Sequence, residues 1–355
     1  MAHYLVTGGC GFIGSHLVKA LLEKGDRVRI LDNLATGQVE NVPEACEMII
    51  GDVADRVTVA RAMDGIDGCF HLAAVASKPR SNEVWYDAHR INLSGTINIF
   101  DAARRPKSVV PVVYASSAAV YGDNATPRLK ENDTTHPLNT FAADKLGCEL
   151  HARAAFLMHG VPTTGFRIFN VYGPRQDPKS LHCGVISLFT DRIQDNLPLI
   201  VHGNGHQVRD FIHISDVVTF LLAGMNRMPS NYRVFNLCTG QPTAIKDLAL
   251  TLFSIFGQDP DIRHVPSRPG EIRTSVGDPT FAAKMLGVKA TLGIVEGLRQ
   301  TLPGWKPSDE PPSPQIPTLS PNRVKQPREN LLRPSGFFSP DPFFQRSHTI
   351  LLQES

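Results

Sequence analysis

The sequence predicts an α/β chain: a doubly wound parallel sheet joined to a smaller α/β lobe. Three observations carry this. Short apolar runs alternate with amphipathic segments up to about residue 168, a glycine-rich turn joins the first run to the first amphipathic segment, and the rhythm shortens beyond residue 168. Strand-helix alternation implies βαβ units, which bury a parallel sheet between two layers of helices. Ligands of such sheets sit beyond the carboxyl ends of the strands, so the residues just after each strand are the informative ones.

In order along the chain, strands are predicted at 3–7, 27–31, 48–50, 68–72, 109–115 and 163–167, with helices near 12–24, 82–104 and 139–160. These make up a first domain, 1–168. Residues 169–305 read as the smaller lobe, with some chain returning to the sheet and short helices near 184–194, 215–227, 244–256 and 279–286. Eleven of the 27 prolines fall between Pro303 and Pro342 without sustained periodicity, so the tail, 306–355, is expected to be disordered. Its apolar end (Phe337-Phe338, Phe343-Phe344, Ile350-Leu351-Leu352) leaves docking or partner binding open.

Composition excludes several classes of function. At 355 residues and 42% hydrophobic content the chain can bury a large core, and its net charge of +2 comes from scattered Lys and Arg rather than a basic stripe, so no nucleic-acid partner is expected. No run approaches the roughly 20 apolar residues that cross a bilayer. The N-terminus enters a strand directly, and a cytoplasmic protein is expected. The six cysteines are widely spaced with no C-x-x-C, which suits reduced thiols better than disulfides or a metal site.

Gly8-Gly9-Cys10-Gly11-Phe12-Ile13-Gly14 follows the first strand and opens the first helix. This spacing suits a Rossmann-type cofactor turn: Gly8 for the tight bend, Gly11 for close approach of a pyrophosphate, Gly14 for helix-strand packing. Asp32 closes the second strand, where a carboxylate accepts hydrogen bonds from the adenosine ribose. It also repels a 2′-phosphate, and Asn33 rather than Arg follows it, so NAD is favoured over NADP. Downstream, Ser116-Ser117-Ala118-Ala119-Val120-Tyr121-Gly122 follows the fifth strand, and Phe141 and Lys145 stand four apart on one helix face.

These motifs, with Arg167-Ile168-Phe169-Asn170-Val171-Tyr172-Gly173-Pro174 and Arg209-Asp210-Phe211-Ile212-His213, resemble the extended short-chain dehydrogenase/reductase family of NAD-dependent nucleotide-sugar 4-epimerases over roughly residues 3–304. The resemblance implies that NAD is also contacted by Asp52, Val53, Leu72, Ala73, Ala74, Asn92 and Lys145. A UDP-sugar would meet Ser77, Ser117, Asn170, Val185, Arg209, Arg268 and Ser275, with the two arginines on its diphosphate. A homodimer through the helices near 82–104 and 139–160 is likewise implied.

Phe141 departs from the family pattern, which has a tyrosine there in Y-x-x-x-K. A phenol of pKa near 10 becomes a usable base only where a neighbouring ammonium and a positive ring lower that value. Phe141 keeps the ring and lacks the oxygen. A Tyr-to-Phe change that traps a bound sugar nucleotide fits the otherwise intact motifs; a naturally non-catalytic binding protein and a proton path through Ser117 are the alternatives. Ala118-Ala119 stand where related dehydratases place acids, which argues against elimination. Ser275 matches the position lining the C2 pocket, and a small residue there points to UDP-N-acetylglucosamine/UDP-N-acetylgalactosamine, with UDP-glucose/UDP-galactose also accepted. UDP-glucuronate is the competing substrate.

Overall fold

A computed structural model describes residues 1–76, 84–104, 109–177, 184–228, 231–267 and 270–302, all within one compact unit, Met1–Pro307. Ser77, Arg268, Cys183 and the proline-rich tail lie outside the described residues.

The N-terminal half runs β1 (His3–Thr7), α1 (Phe12–Glu23), β2 (Arg27–Asp32), β3 (Glu47–Ile50), α2 (Arg56–Ala62) and β4 (Gly68–His71). Then come α3 (Trp85–His89), a π-helical turn (Arg90–Ser94), α4 (Gly95–Ala103), β5 (Val112–Ser117), α5 (Thr140–His159) and β6 (Thr163–Ile168). Each expected strand is present within a few residues of its predicted bounds. The sequence reading did not mark α2, although Asp55 caps it by accepting from the Val57 and Thr58 amides.

After β6 the chain forms β7 (Asn170–Tyr172), α6 (Val185–Gln194), β8 (Leu199–His202), β9 (Val208–His213), α7 (Ile214–Asn226) and β10 (Tyr232–Leu237). It continues as β11 (Pro242–Ala244), α8 (Ile245–Phe256), β12 (Ile262–Val265), β13 (Thr274–Ser275), α9 (Thr280–Leu286) and α10 (Ile294–Thr301). The cut at residue 168 is too simple for the sheet. β10 pairs parallel with β6 in full register, Phe235 beside Phe166, so the return expected of "some chain" is a whole strand with α7 as its crossover helix.

The seven strands lie in the order β3-β2-β1-β4-β5-β6-β10, every pair parallel. The order reverses between β1 and β4, and a crevice opens there beyond the strand ends. Helices cover both faces. Leu17, Val18 and Leu21 of α1 and Phe220 and Leu221 of α7 pack with Ile30, Phe70 and Phe166 on one side. On the other, Val59, Ile99, Phe100, Cys148 and Ala152 pack with Leu5, Cys69 and Val112. A third cluster, including Phe189, Leu199, Val201, Leu248 and Leu252, forms the core of the lobe. The five described cysteines are free thiols. No helix among the described residues is long and apolar enough to cross a membrane.

Candidate active site

A cavity of about 870 Å³ fills the crevice at the reversal point, within the size range of small-molecule sites. At one end it is walled by the turn between β1 and α1. A Cβ on Gly8 would come within 2.9 Å of Ala73 Cα, so β1 and β4 approach closely only because that position is glycine. Gly11 is the N-cap of α1 and provides no side-chain cap, leaving the first-turn N–H groups without an intrahelical partner and beside the cavity. Orphan amides at the start of a twelve-residue helix form an anion site ready for a pyrophosphate.

Gly8, Gly11, Phe12, Ile13, Gly14, Asp32, Asn33, Asp52, Val53, Leu72, Ala73 and Ala74 all line this cavity. The two Asp32 oxygens accept from the Cys10 and Leu34 amides, each at 2.9 Å. A carboxylate offers about four acceptor directions, so capacity for ribose hydroxyls remains. Asp52 is held by the Ala54 amide at 2.8 Å and the Asn33 side chain at 3.3 Å. Uncapped helix, spare carboxylate acceptors and cavity size together fit a dinucleotide.

At the other end the walls are Ala115, Ser116, Ser117, Phe141, Lys145, Ile168, Phe169 and Asn170. α5 delivers two of these. Asn139 caps it by accepting from the Ala142 amide at 2.9 Å, and the i, i+4 spacing then aims Phe141 and Lys145 at the end of β5. Lys145 is 3% exposed; its Nζ donates to the Ala115 carbonyl at 2.8 Å and lies 5.9 Å from the Phe141 ring centre. Burial pulls the Lys145 pKa below the usual lysine value, partly offset by Cys148 and Asp144. Ser117 Oγ accepts from the Ala119 amide at 3.1 Å, which fixes the hydroxyl at the cavity edge.

Beneath this end lies a buried polar network that the sequence reading did not identify. Ser116 Oγ donates to Glu149, and Arg167 grips the same carboxylate in a bidentate pair at 2.9 and 2.7 Å. The Arg167 guanidinium also stacks 4.7 Å from the Tyr121 ring centre, and Tyr121 donates to Asn236 at 2.7 Å. β5, α5, β6 and β10 are thereby pinned together behind Ser117. The available signal was Glu149, one further turn along α5 from Lys145.

The other expected contacts lie elsewhere. Asn92 is fully buried and does not line the cavity: its amide accepts from the Val75 N–H at 2.8 Å and donates to the Val75 carbonyl, shaping the wall from behind. Val185, Arg209 and Ser275 are also outside the lining; Val185 begins α6 directly after the lining Gly184. Arg209 and Ser275 are register partners across β9 and β13, and Arg209 points to Glu271 at 4.0 Å. Gln38, Asn41, Ile91, Arg175 and Gln176 line the cavity but belong to no motif read from the sequence.

Comparison with known proteins agrees with this geometry. Residues 4–238 match the NAD dependent epimerase/dehydratase family. A UDP-glucose 4-epimerase of Mycolicibacterium smegmatis is 32% identical over 306 residues, covering 84% of this chain and 96% of that protein. The solved structure of UDP-glucose 4-epimerase from Thermotoga maritima with UDP-glucose is similar at a TM-score of 0.81 and 32% identity, over 84% of this chain and 97% of that one. A UDP-N-acetylglucosamine 4-epimerase from Methanobrevibacter ruminantium, in complex with UDP-N-acetylmuramic acid, is similar at 0.80 and 32%, over 84% and 96%. With its glycine turn and sheet order in place and these matches over most of its length, the chain belongs to the NAD dependent epimerase/dehydratase family.

Proposed function

We propose that this chain is a UDP-sugar 4-epimerase scaffold that binds NAD and a UDP-hexose and is crippled in turnover by Phe141. The observation that carries the reading is the Phe141 ring, 7% exposed, which lines the same cavity as Ser117 and Lys145 and has its centre 5.9 Å from the Lys145 Nζ. The ring occupies a proton-transfer position without an oxygen to transfer through.

NAD, when bound, supplies a reversible hydride acceptor, so that a 4-keto sugar can turn over and be reduced on its other face. The chain's own residues do the rest. Lys145 brings a donor to the cavity end of β5, Ser117 offers a hydroxyl to the reacting sugar hydroxyl, and the first turn of α1 binds the cofactor diphosphate through its N–H groups. No carboxylate stands at Ala118 or Ala119 to protonate a leaving hydroxyl, which favours epimerisation over elimination.

Substrate preference rests on Ser275. The family resemblance puts it at the pocket for the C2 substituent, and a side chain of that size leaves room for an N-acetyl group, which favours UDP-N-acetylglucosamine/UDP-N-acetylgalactosamine with plain UDP-hexoses also accepted. A homodimer is supported by the apolar side chains that α3 and α5 leave exposed, namely Trp85, Tyr86, Leu150, Leu157 and Met158.

Restoring the phenol tests the proposal. Phe141→Tyr is expected to raise interconversion of UDP-N-acetylglucosamine and UDP-N-acetylgalactosamine by about 10²–10⁴-fold, the usual contribution of a positioned acid-base group. If the variant interconverts no UDP-hexose, the epimerase reading fails and a non-catalytic nucleotide-sugar binder takes its place.

A further inference from the structure

Arg175 lines the cavity from the lobe side, yet its side chain reaches across to the dinucleotide side. It follows Gly173-Pro174 in the turn after β7 and adopts φ of +68°, a left-handed conformation that a non-glycine residue keeps only where its surroundings hold it. From there Nη1 donates to the Asn41 carbonyl at 2.9 Å, across 134 residues of sequence. Asn41 is itself anchored to the glycine turn, its side chain donating to the Cys10 carbonyl at 3.1 Å.

A second tie crosses the same junction. His16, on α1, lies 3.0 Å from the Pro174 carbonyl through Nε2, and since a carbonyl only accepts, Nε2 carries the proton. Pro174 is thus fastened to the cofactor helix while Arg175 is fastened to the segment between β2 and β3. Asn41 is bonded to Cys10, and the Cys10 amide is bonded to Asp32, so the bridge stands at the end where the ribose-binding carboxylate lies.

We propose that Arg175 is a cofactor-retaining latch: the bridge from its guanidinium to the Asn41 carbonyl spans the cleft over the adenosine end of bound NAD and must open for the dinucleotide to leave. The inference rests on the NAD-binding reading above. A reaction that regenerates its oxidised cofactor in every cycle gains from never releasing it, and a neutral hydrogen-bond acceptor on the far side gives a latch that high salt does not loosen. Arg175 acts here as a positioning residue, on cofactor exchange rather than on chemistry.

The test is the NAD dissociation rate of the purified full-length chain, followed by displacement of fluorescent NADH in stopped flow. Arg175→Ala is expected to release cofactor at least tenfold faster, and Arg175→Lys, which retains a donor on a shorter stem, to fall between. Arg175→Gly separates the side chain from the backbone, because glycine adopts the left-handed turn freely. It should release as fast as the alanine variant.

A parent chain that holds NAD and an Arg175→Ala variant that releases it at the same rate would sink the latch alone. Slow, parental release from Arg175→Gly would do the same, since backbone strain rather than the bridge would then set the rate. A parent chain that binds no NAD at all overturns the cofactor reading and the latch with it.

Discussion

The two ends of the cavity are built on different principles. The dinucleotide end is mostly backbone: a glycine turn, the uncapped start of α1 and a carboxylate fastened to the main chain. The chemistry end is side chains, Ser117, Phe141 and Lys145, standing on a buried ionic network. A backbone site tolerates much change in side chains and fails only where a Cβ will not fit. A side-chain site can lose a single oxygen and keep its shape, which is the change we propose for Phe141.

The sharpest way to break the contrast is at the chemistry end. Phe141→Tyr should change turnover by about 10²–10⁴-fold while NAD affinity moves little; a large change in NAD affinity would mean that the two ends are not separable.

Next in size is the network beneath. Glu149→Ala leaves the Arg167 guanidinium, now about as buried as the core around it, without its bidentate partner. The expected loss is about 3–5 kcal/mol of unfolding free energy, read from denaturant unfolding. A loss below about 1 kcal/mol would show that water or Tyr121 takes over the charge.

At the dinucleotide end the expected effect is smaller in stability and larger in binding. A Cβ at Gly14 would run into the Gly8 carbonyl and the Gly9 Cα, both backbone atoms that cannot step aside. Gly14→Ala should cost roughly 1–3 kcal/mol through overpacking and abolish measurable NAD binding by calorimetry. Retained binding would mean that α1 can shift without disturbing the anion site.

The smallest effect expected is on pH. Burial lowers the His16 pKa to about 4 and the His71 pKa to about 3, from an ordinary value near 6.5. Between pH 6.5 and about 4 the unfolded chain therefore binds protons that the folded chain refuses, and stability falls as the pH drops through that window. By pH 5.5 the loss should approach roughly 1 kcal/mol for each fully buried histidine, less for the partly exposed His16. Equal urea midpoints at pH 7 and 5.5 would contradict it.

Most of the cavity's dinucleotide end could be read in advance because its determinants are local. Gly8 to Gly14 sit within one turn and one helix start, and Asp32 ends the adjacent strand, so strand-helix order alone places them together. Phe141 and Lys145 were legible for the same reason, being one helical turn apart. Arg175 and Asn41 were not, because they are 134 residues apart and their contact depends on how the β7 turn meets the β2–β3 connection. Asn92 shows the converse. Its helix was foreseen, but which way its amide faces was decided by the Val75 peptide it satisfies, since a buried amide must find partners.

The sequence by itself determined the sheet class and the glycine turn, because each is written in residues close together along the chain. Tertiary structure alone decided that β10 returns to the edge of the sheet, that Glu149 and Arg167 pair behind Ser117, and that Arg175 reaches the Asn41 carbonyl. Those outcomes depend on pairings between distant segments, and local propensity carries no information about which buried charge or unpaired carbonyl will find which partner.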